Sequence, residues 1–420
     1  MLLFDTGRGR VDPYWNGIWS TGPRGIMWTS AARQQQFLDA GLAKWVPKHL
    51  AVEPTRAAAR LTHAWEMKLA VLGALNSWRT LTAEQLGAIT GFDPSGRAMR
   101  TVLADLYALG AVDAGFAWTP GTPTMDANTL TVYKLGDAKT LRRVIQPEMT
   151  YPELIAVTGT GTWRIGYADR HDLLSAEIGI RLAEFGEGVA MVLGEAQSRL
   201  VDMVFHGPGF VPPAGFADRP ADMTLVRADG GRIAFEMTTS RTSGFAAKLA
   251  SWARAIESHP WSATGVAVVV LAAPDPNRGG HGGDIRKALS IAIRARPGNR
   301  QNPTAARMLY ADWRDWFPEQ GKASPSFFRL RAHRLEGDNW VPVDLVDDSH
   351  LPAPEQLRDP MAVVRNASGL WATPAQLKVP GDQRPRIAEL TMKRTGIPLP
   401  AGKRSNGRIG ASGLPQRLRF

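Results

Sequence analysis

The stretch RPADMTLVRADGGRIAFEMTTS, residues 219–240, puts two carboxylates where they can act together. Asp222 and Glu236 sit in two short segments on either side of an Asp-Gly-Gly turn. The pattern predicts a hairpin with one acid on each strand. With Asp229, Gly230 and Gly231 as a three-residue loop, Asp222 falls across from Thr238 and Thr224 across from Glu236. One face then carries Asp222, Thr224, Val226, Ala234, Glu236 and Thr238. The other face, with Met223, Leu225, Ile233, Phe235 and Met237, is apolar and ready to pack on helices. A two-residue loop would separate the acids onto opposite faces. On the shared face the acids are diagonal neighbours, roughly 7–8 Å apart at the backbone. From there both side chains can reach one Mg2+ or Mn2+. Magnesium takes one or two carboxylates together with waters and phosphate oxygens. It can polarise a phosphodiester and help ionise a water.

Such chemistry also wants a protein cation to hold the water or stabilise transition-state charge. Thr238, two residues after the second acid, cannot supply one. Lys248, on the next predicted helix, can if that helix crosses the sheet edge; its plainer reading is a surface lysine. Glu177 on the preceding helix and Glu195 at the end of the preceding strand are further candidates for the metal shell. Each alone reads as a solvated acid. Other chemistries have no footing. The chain lacks a phosphate-binding Gly-x-x-x-x-Gly-Lys-Ser/Thr loop, a His-Glu-x-x-His and a Gly-x-Ser-x-Gly. His171 beside Asp172 reads as a polar pair at a helix start, and none of the six tyrosines stands near a histidine cluster in the sequence.

The elements that must position these residues follow from periodicity. RHDLLSAEIGIRLAEFGEG (170–188) has helical spacing, and VAMVLGEAQ (189–197) reads as a strand and turn. After the hairpin come a helix, FAAKLASWARAIES (245–258), a buried strand, GVAVVVLAA (265–273), a glycine-rich loop (277–284) and a basic helix, DIRKALSIAIRAR. Residues 151–345 thus predict a mixed α/β domain with helices packed on a small sheet. Residues 61–145 predict a second domain. HAWEMKLAVLGALNSWR is helical, TAEQ at 82–85 offers a capping box before a short helix, and DPSGRAMRTVLADLYALGAV gives a third helix. FAW at 116–118 and TLTVYKL at 129–135 then make a hairpin. Three helices followed by a hairpin is the winged helix-turn-helix order. In such a module the third helix enters the major groove, which makes Ser95, Arg97 and Arg100 candidate DNA contacts. Taken alone, two arginines three apart are as well explained by a solvated face.

The 420 residues include 50 Lys plus Arg against 39 Asp plus Glu, a net +11, which favours a polyanionic partner. No apolar run is long enough to span a bilayer, and MLLFDTGRGR has no signal-peptide pattern; the expectation is a cytoplasmic protein. With no cysteine, disulfides and thiolate metal sites are excluded. Residues 1–60 read as an extension. Its Trp15, Trp19, Trp28 and Trp45 either pin it to a neighbouring domain or form a stacking platform for single-stranded nucleic acid. Residues 346–420 read as a basic, largely disordered tail, whose Lys403 and Arg404 can meet phosphate without sequence preference.

The winged-helix order, TLTVYKL, RHDLLSAEIGIRL, LGEAQSR, the 219–240 hairpin and KLASWARAI together resemble the replication-relaxation family, over roughly residues 60–260. The resemblance implies a winged helix-turn-helix followed by a PD-(D/E)XK nuclease-like domain. It also implies DNA binding in the replication, relaxation or mobilisation of plasmids and integrative elements, with other replication or transfer proteins as partners. Carried over, Pro220 and Asp222 match the first acidic element and Glu236 the second acid. Thr238 stands where an active nuclease of this kind has lysine. Three readings follow: a metal-dependent nickase, a binding factor on an inactive nuclease fold, and a transcriptional regulator whose α/β domain senses a ligand or dimerises.

Overall fold

The computed structural model describes residues 2–15, 26–41, 48–117, 131–159, 161–165, 169–200, 203, 220–239, 244–277, 282–346 and 349–354. They form two compact units of mixed α and β structure, one built from residues 2–15 and 174–354, the other from 26–173. Among the described residues no helix is long and apolar enough to cross a membrane.

The chain opens in the first unit with β1 (Phe4–Asp5). The second unit then runs β2 (Ile26–Thr29), α1 (Ala31–Asp39), α2 (Pro54–Ala59), α3 (Trp65–Trp78) and β3 (Thr80–Thr82). It continues with α4 (Ala83–Thr90), α5 (Arg97–Ala108), β4 (Val112–Ala117), β5 (Thr131–Leu135) and α6 (Tyr151–Thr158). The apolar spacing of α3 buries Leu69, Leu72 and Leu75 completely. The capping box read at Thr82 is present: its hydroxyl accepts from the Gln85 N–H, and the Gln85 side chain accepts from the Thr82 N–H. Helix α5 is fixed from behind. Its buried Asp105 takes a hydrogen bond from Arg60 and lies 3.5 Å from the Lys68 ammonium. Its Tyr107 hydroxyl meets Thr29 Oγ1 at 3.1 Å.

The antiparallel sheet of this unit has the order β2-β4-β5-β3. Sequence patterning found the β4–β5 hairpin but not its flanking strands. β2 falls within the stretch read as an extension, yet it pairs with β4. A Cβ on Gly115 would come within 2.5 Å of Ile26 Cγ2, so glycine there is what lets β2 lie close. Trp28 is a packing residue: its indole N–H donates to Asp169 at 3.1 Å, and the Lys134 ammonium lies 4.2 Å from the ring centroid. Trp19 and Trp45 lie outside the described residues.

The first unit resumes within α7 (Asp169–Phe185) and continues with β6 (Val189–Gly194), β7 (Met223–Arg227), β8 (Arg232–Thr238), α8 (Phe245–Ser258), β9 (Val266–Ala272) and α9 (Gly282–Ala295). β10 (Met308–Asp312), β11 (Lys322–Ala323), β12 (Arg331–Glu336) and β13 (Asn339–Asp344) follow. Seven strands form one mixed sheet in the order β13-β12-β10-β9-β8-β7-β6. β8, β9 and β10 are parallel, and the other pairs are antiparallel. The remaining pair is β1 with β11. The N-terminal residues are therefore part of this unit. Buried ion pairs hold them: Arg10 to Glu184 at 2.6 Å, and Arg181 to Asp12 at 2.7 Å. The tail boundary also moves. Residues 349–354 are packed, with Leu351 buried and the Leu351 and Pro352 carbonyls accepting from Arg227 and Trp261. Lys403 and Arg404 lie outside the described residues.

The hairpin departs from its expected register by two residues. Met223 pairs with Phe235 and Val226 with Arg232, and Arg227 N–H donates to Gly231 O at 2.7 Å. The loop is Ala228, Asp229 and Gly230, because Gly230 takes the left-handed conformation (φ +89°). A shift of two keeps the faces, and Asp222, just before β7, donates its N–H to Phe235 O at 3.0 Å. Nor is one face free. Ala234, Val268 and Val270, on the acids' face, pack in one cluster with Leu249 and Trp252 of α8 and Ile285 and Leu289 of α9. On the other face Phe235 packs edge-on against Trp316.

Candidate functional site

Asp222 and Glu236 meet at one ammonium, under α8, and are only 5% and 2% exposed. Lys248, in the first turn of α8, spans them. Its ammonium lies 3.2 Å from Asp222 Oδ1 and also contacts Glu236 Oε2. Trp252, one turn later on the same helix face, donates its indole N–H to Glu236 Oε1. The Met237 N–H donates to Asp222 Oδ2 at 2.6 Å. Every carboxylate oxygen thus has a donor.

Two acids share one cation in a dry place, so their protonation is shifted. Burial pushes the Glu236 carboxyl up to about 7; Lys248 works against this and the Asp222 charge adds to it. For Lys248, burial acts to lower the pKa, but the two facing carboxylates outweigh it and hold the ammonium above the ordinary lysine value. The Lys248 side chain keeps 23% of its surface exposed, so the centre meets water along the lysine.

The oxygen donors fit a divalent cation in kind and number, and the bridging ammonium marks the point where they already stabilise positive charge. Asp222 and Glu236 would hold it. Glu177 is not brought to them: it pairs with Arg181 at 3.0 Å and with Arg10 at 3.5 Å. Glu195 opens a 3-10 turn, Glu195–Gln197, after β6 and is half-buried. Among the described residues no group of three or more acids or histidines is arranged to hold a metal. Thr238 ends β8 as a buried neighbour of Ala272.

His171 and Asp172 form a polar pair at the start of α7: His171 Nδ1 lies 3.3 Å from Asp172 Oδ1, while Asp172 also accepts from Thr80. The pairing of β10 with β12 sets Tyr310 opposite a single histidine, His333. Burial and the neighbouring Asp312, which accepts from its hydroxyl at 3.1 Å, raise the Tyr310 pKa, so the phenol is a poor nucleophile.

In the second unit Ser95, Arg97 and Arg100 are all exposed at the start of α5. The Ser95 hydroxyl is turned onto Asp93 at 2.8 Å, so it helps close the turn before the helix. Arg97 and Arg100 point outward from a helix whose other side is buried through Met99, Val102, Leu103 and Leu106.

Sequence reasoning missed Trp252 and the Met237 N–H. Trp252 had a signal, since it lies one helical turn from Lys248. The Met237 N–H depends on the hairpin's register. No family model matches the chain, and neither a curated protein nor a solved structure does.

Proposed function

We propose that this chain is a cytoplasmic DNA-binding protein that cuts or nicks double-stranded DNA with a divalent cation. In this reading the first unit is nuclease-like, of the PD-(D/E)XK kind, and the second is a winged helix-turn-helix reader. The observation that carries the reading is the convergence of Asp222, Glu236 and Lys248. A bound Mg2+ or Mn2+ would polarise the phosphodiester and lower the pKa of a water. Asp222 and Glu236 hold that charge. Lys248 takes the part that Thr238 cannot, with a flexible stem that carries its ammonium from the carboxylates to a phosphate oxygen. Arg97 and Arg100 contact DNA from α5, and the basic tail adds phosphate contacts. The resemblance to the replication-relaxation family supports a role in plasmid replication, relaxation or mobilisation, alongside other replication or transfer proteins.

A second reading has its own observation. The four carboxylate oxygens are all satisfied by protein donors, as they would be in a centre that has become structural. The protein would then bind DNA and recruit partners without cutting. An end-labelled duplex separates the two. The first reading expects scission products with Mn2+ and none with chelator. Binding without scission under both conditions would leave only the second.

A further inference from the structure

The turn after β6 holds a buried amide with no role so far. Gln197 is 4% exposed, and neither its Nε2 nor its Oε1 has a partner among the described residues. It closes the turn Glu195–Gln197, which interrupts the ladder between two rungs. On one side Gly194 pairs with Met223; on the other the Ser198 carbonyl accepts from the Ala221 N–H at 2.8 Å. The residue left facing the turn is Asp222. The turn is held shut by the Ser198 hydroxyl, which donates to Gly194 O at 2.9 Å. Asp222 is thus flanked by Glu236 on one side and by the Gln197 turn on the other.

A buried amide with both ends unmatched is costly, and native proteins satisfy such groups with a ligand or an ordered water. The position favours a ligand. Hard cations accept amide carbonyl oxygens as readily as water. A neutral donor suits this place, because two acids already face a single lysine and a third would add unbalanced buried charge.

We infer that Gln197 is the third protein group of the divalent-cation centre, its Oε1 binding the cation directly or through one water of its hydration shell. The inference rests on the metal reading above. Calorimetric titration of the full chain with Mn2+, together with melting curves with and without Mn2+, tests it. Gln197→Leu keeps the shape and removes the orphaned amide. It is expected to melt without metal no lower than wild type, yet to bind Mn2+ at least tenfold more weakly. Gln197→Glu is expected to melt lower without metal and to bind Mn2+ more tightly. Asp222→Asn, which removes a primary ligand, is expected to lose binding. If wild type takes up no Mn2+, the metal reading falls and this inference with it. If Asp222→Asn loses Mn2+ while Gln197→Leu binds like wild type, this inference alone is overturned.

Discussion

Lys248 holds together two acids that would otherwise repel each other in a dry site. Removing one partner of a buried ion cluster is far more damaging than never having built it. Lys248→Met is therefore expected to lower stability by about 3 kcal/mol at pH 8. The loss is expected to be smaller at pH 6, where Glu236 can take up a proton; urea denaturation at the two pH values checks both. Glu236 itself gives a signed pH dependence. Its folded pKa, about 7, lies above its unfolded value, so its contribution is full below the unfolded pKa and is lost as pH rises through about 7. Melting temperature should fall over that window, and Glu236→Gln should flatten the fall. An unchanged slope in the variant would contradict the account. At this scale the sequence was informative. Asp222, Glu236 and Lys248 were chosen by type and spacing, and the structure brings the three together. The register was not legible, because Gly230 and Gly231 both satisfy a three-residue loop. Glu177 was not legible either, since its partner Arg10 lies far away in the chain.

Elements were readable where their residues repeat with one period over several turns. That holds for α3, α5, α7 and α8, and for the buried strand β9. It fails for β2 and β3, which are short and whose stabilising partners are distant in sequence. It fails too for β12 and β13, which carry charged, partly exposed residues and, in β13 at the sheet edge, Pro342. Two substitutions probe the positioning of α5. Thr82→Ala removes the capping box of α4 and is expected to cost about 1 kcal/mol in equilibrium unfolding. Gly115→Ala drives a Cβ into Ile26 and Trp28, and is expected to cost about 1–3 kcal/mol by loosening β2 from β4. Amide exchange should show faster exchange in β2 than in β3. Equal protection of the two strands would mean that the close approach at Gly115 does not hold β2.

For the whole molecule, a net charge of +11 makes the salt dependence of DNA affinity the natural readout. If Arg97 and Arg100 contact phosphates, Arg97→Ala/Arg100→Ala should reduce the slope of log affinity against log salt by about 2. If they read bases, affinity falls mainly for the preferred site. An unchanged slope with unchanged preference would remove α5 from the interface. Binding, however, is common to both functional readings, and the central claim concerns cutting. The most direct test incubates supercoiled plasmid with wild type and with Asp222→Ala/Glu236→Ala, in Mg2+, in Mn2+ and in chelator, at matched DNA occupancy. The account predicts metal-dependent conversion to the nicked or linear form by wild type and none by the variant. Equal conversion by the two proteins, or none by wild type with DNA fully bound, would contradict it.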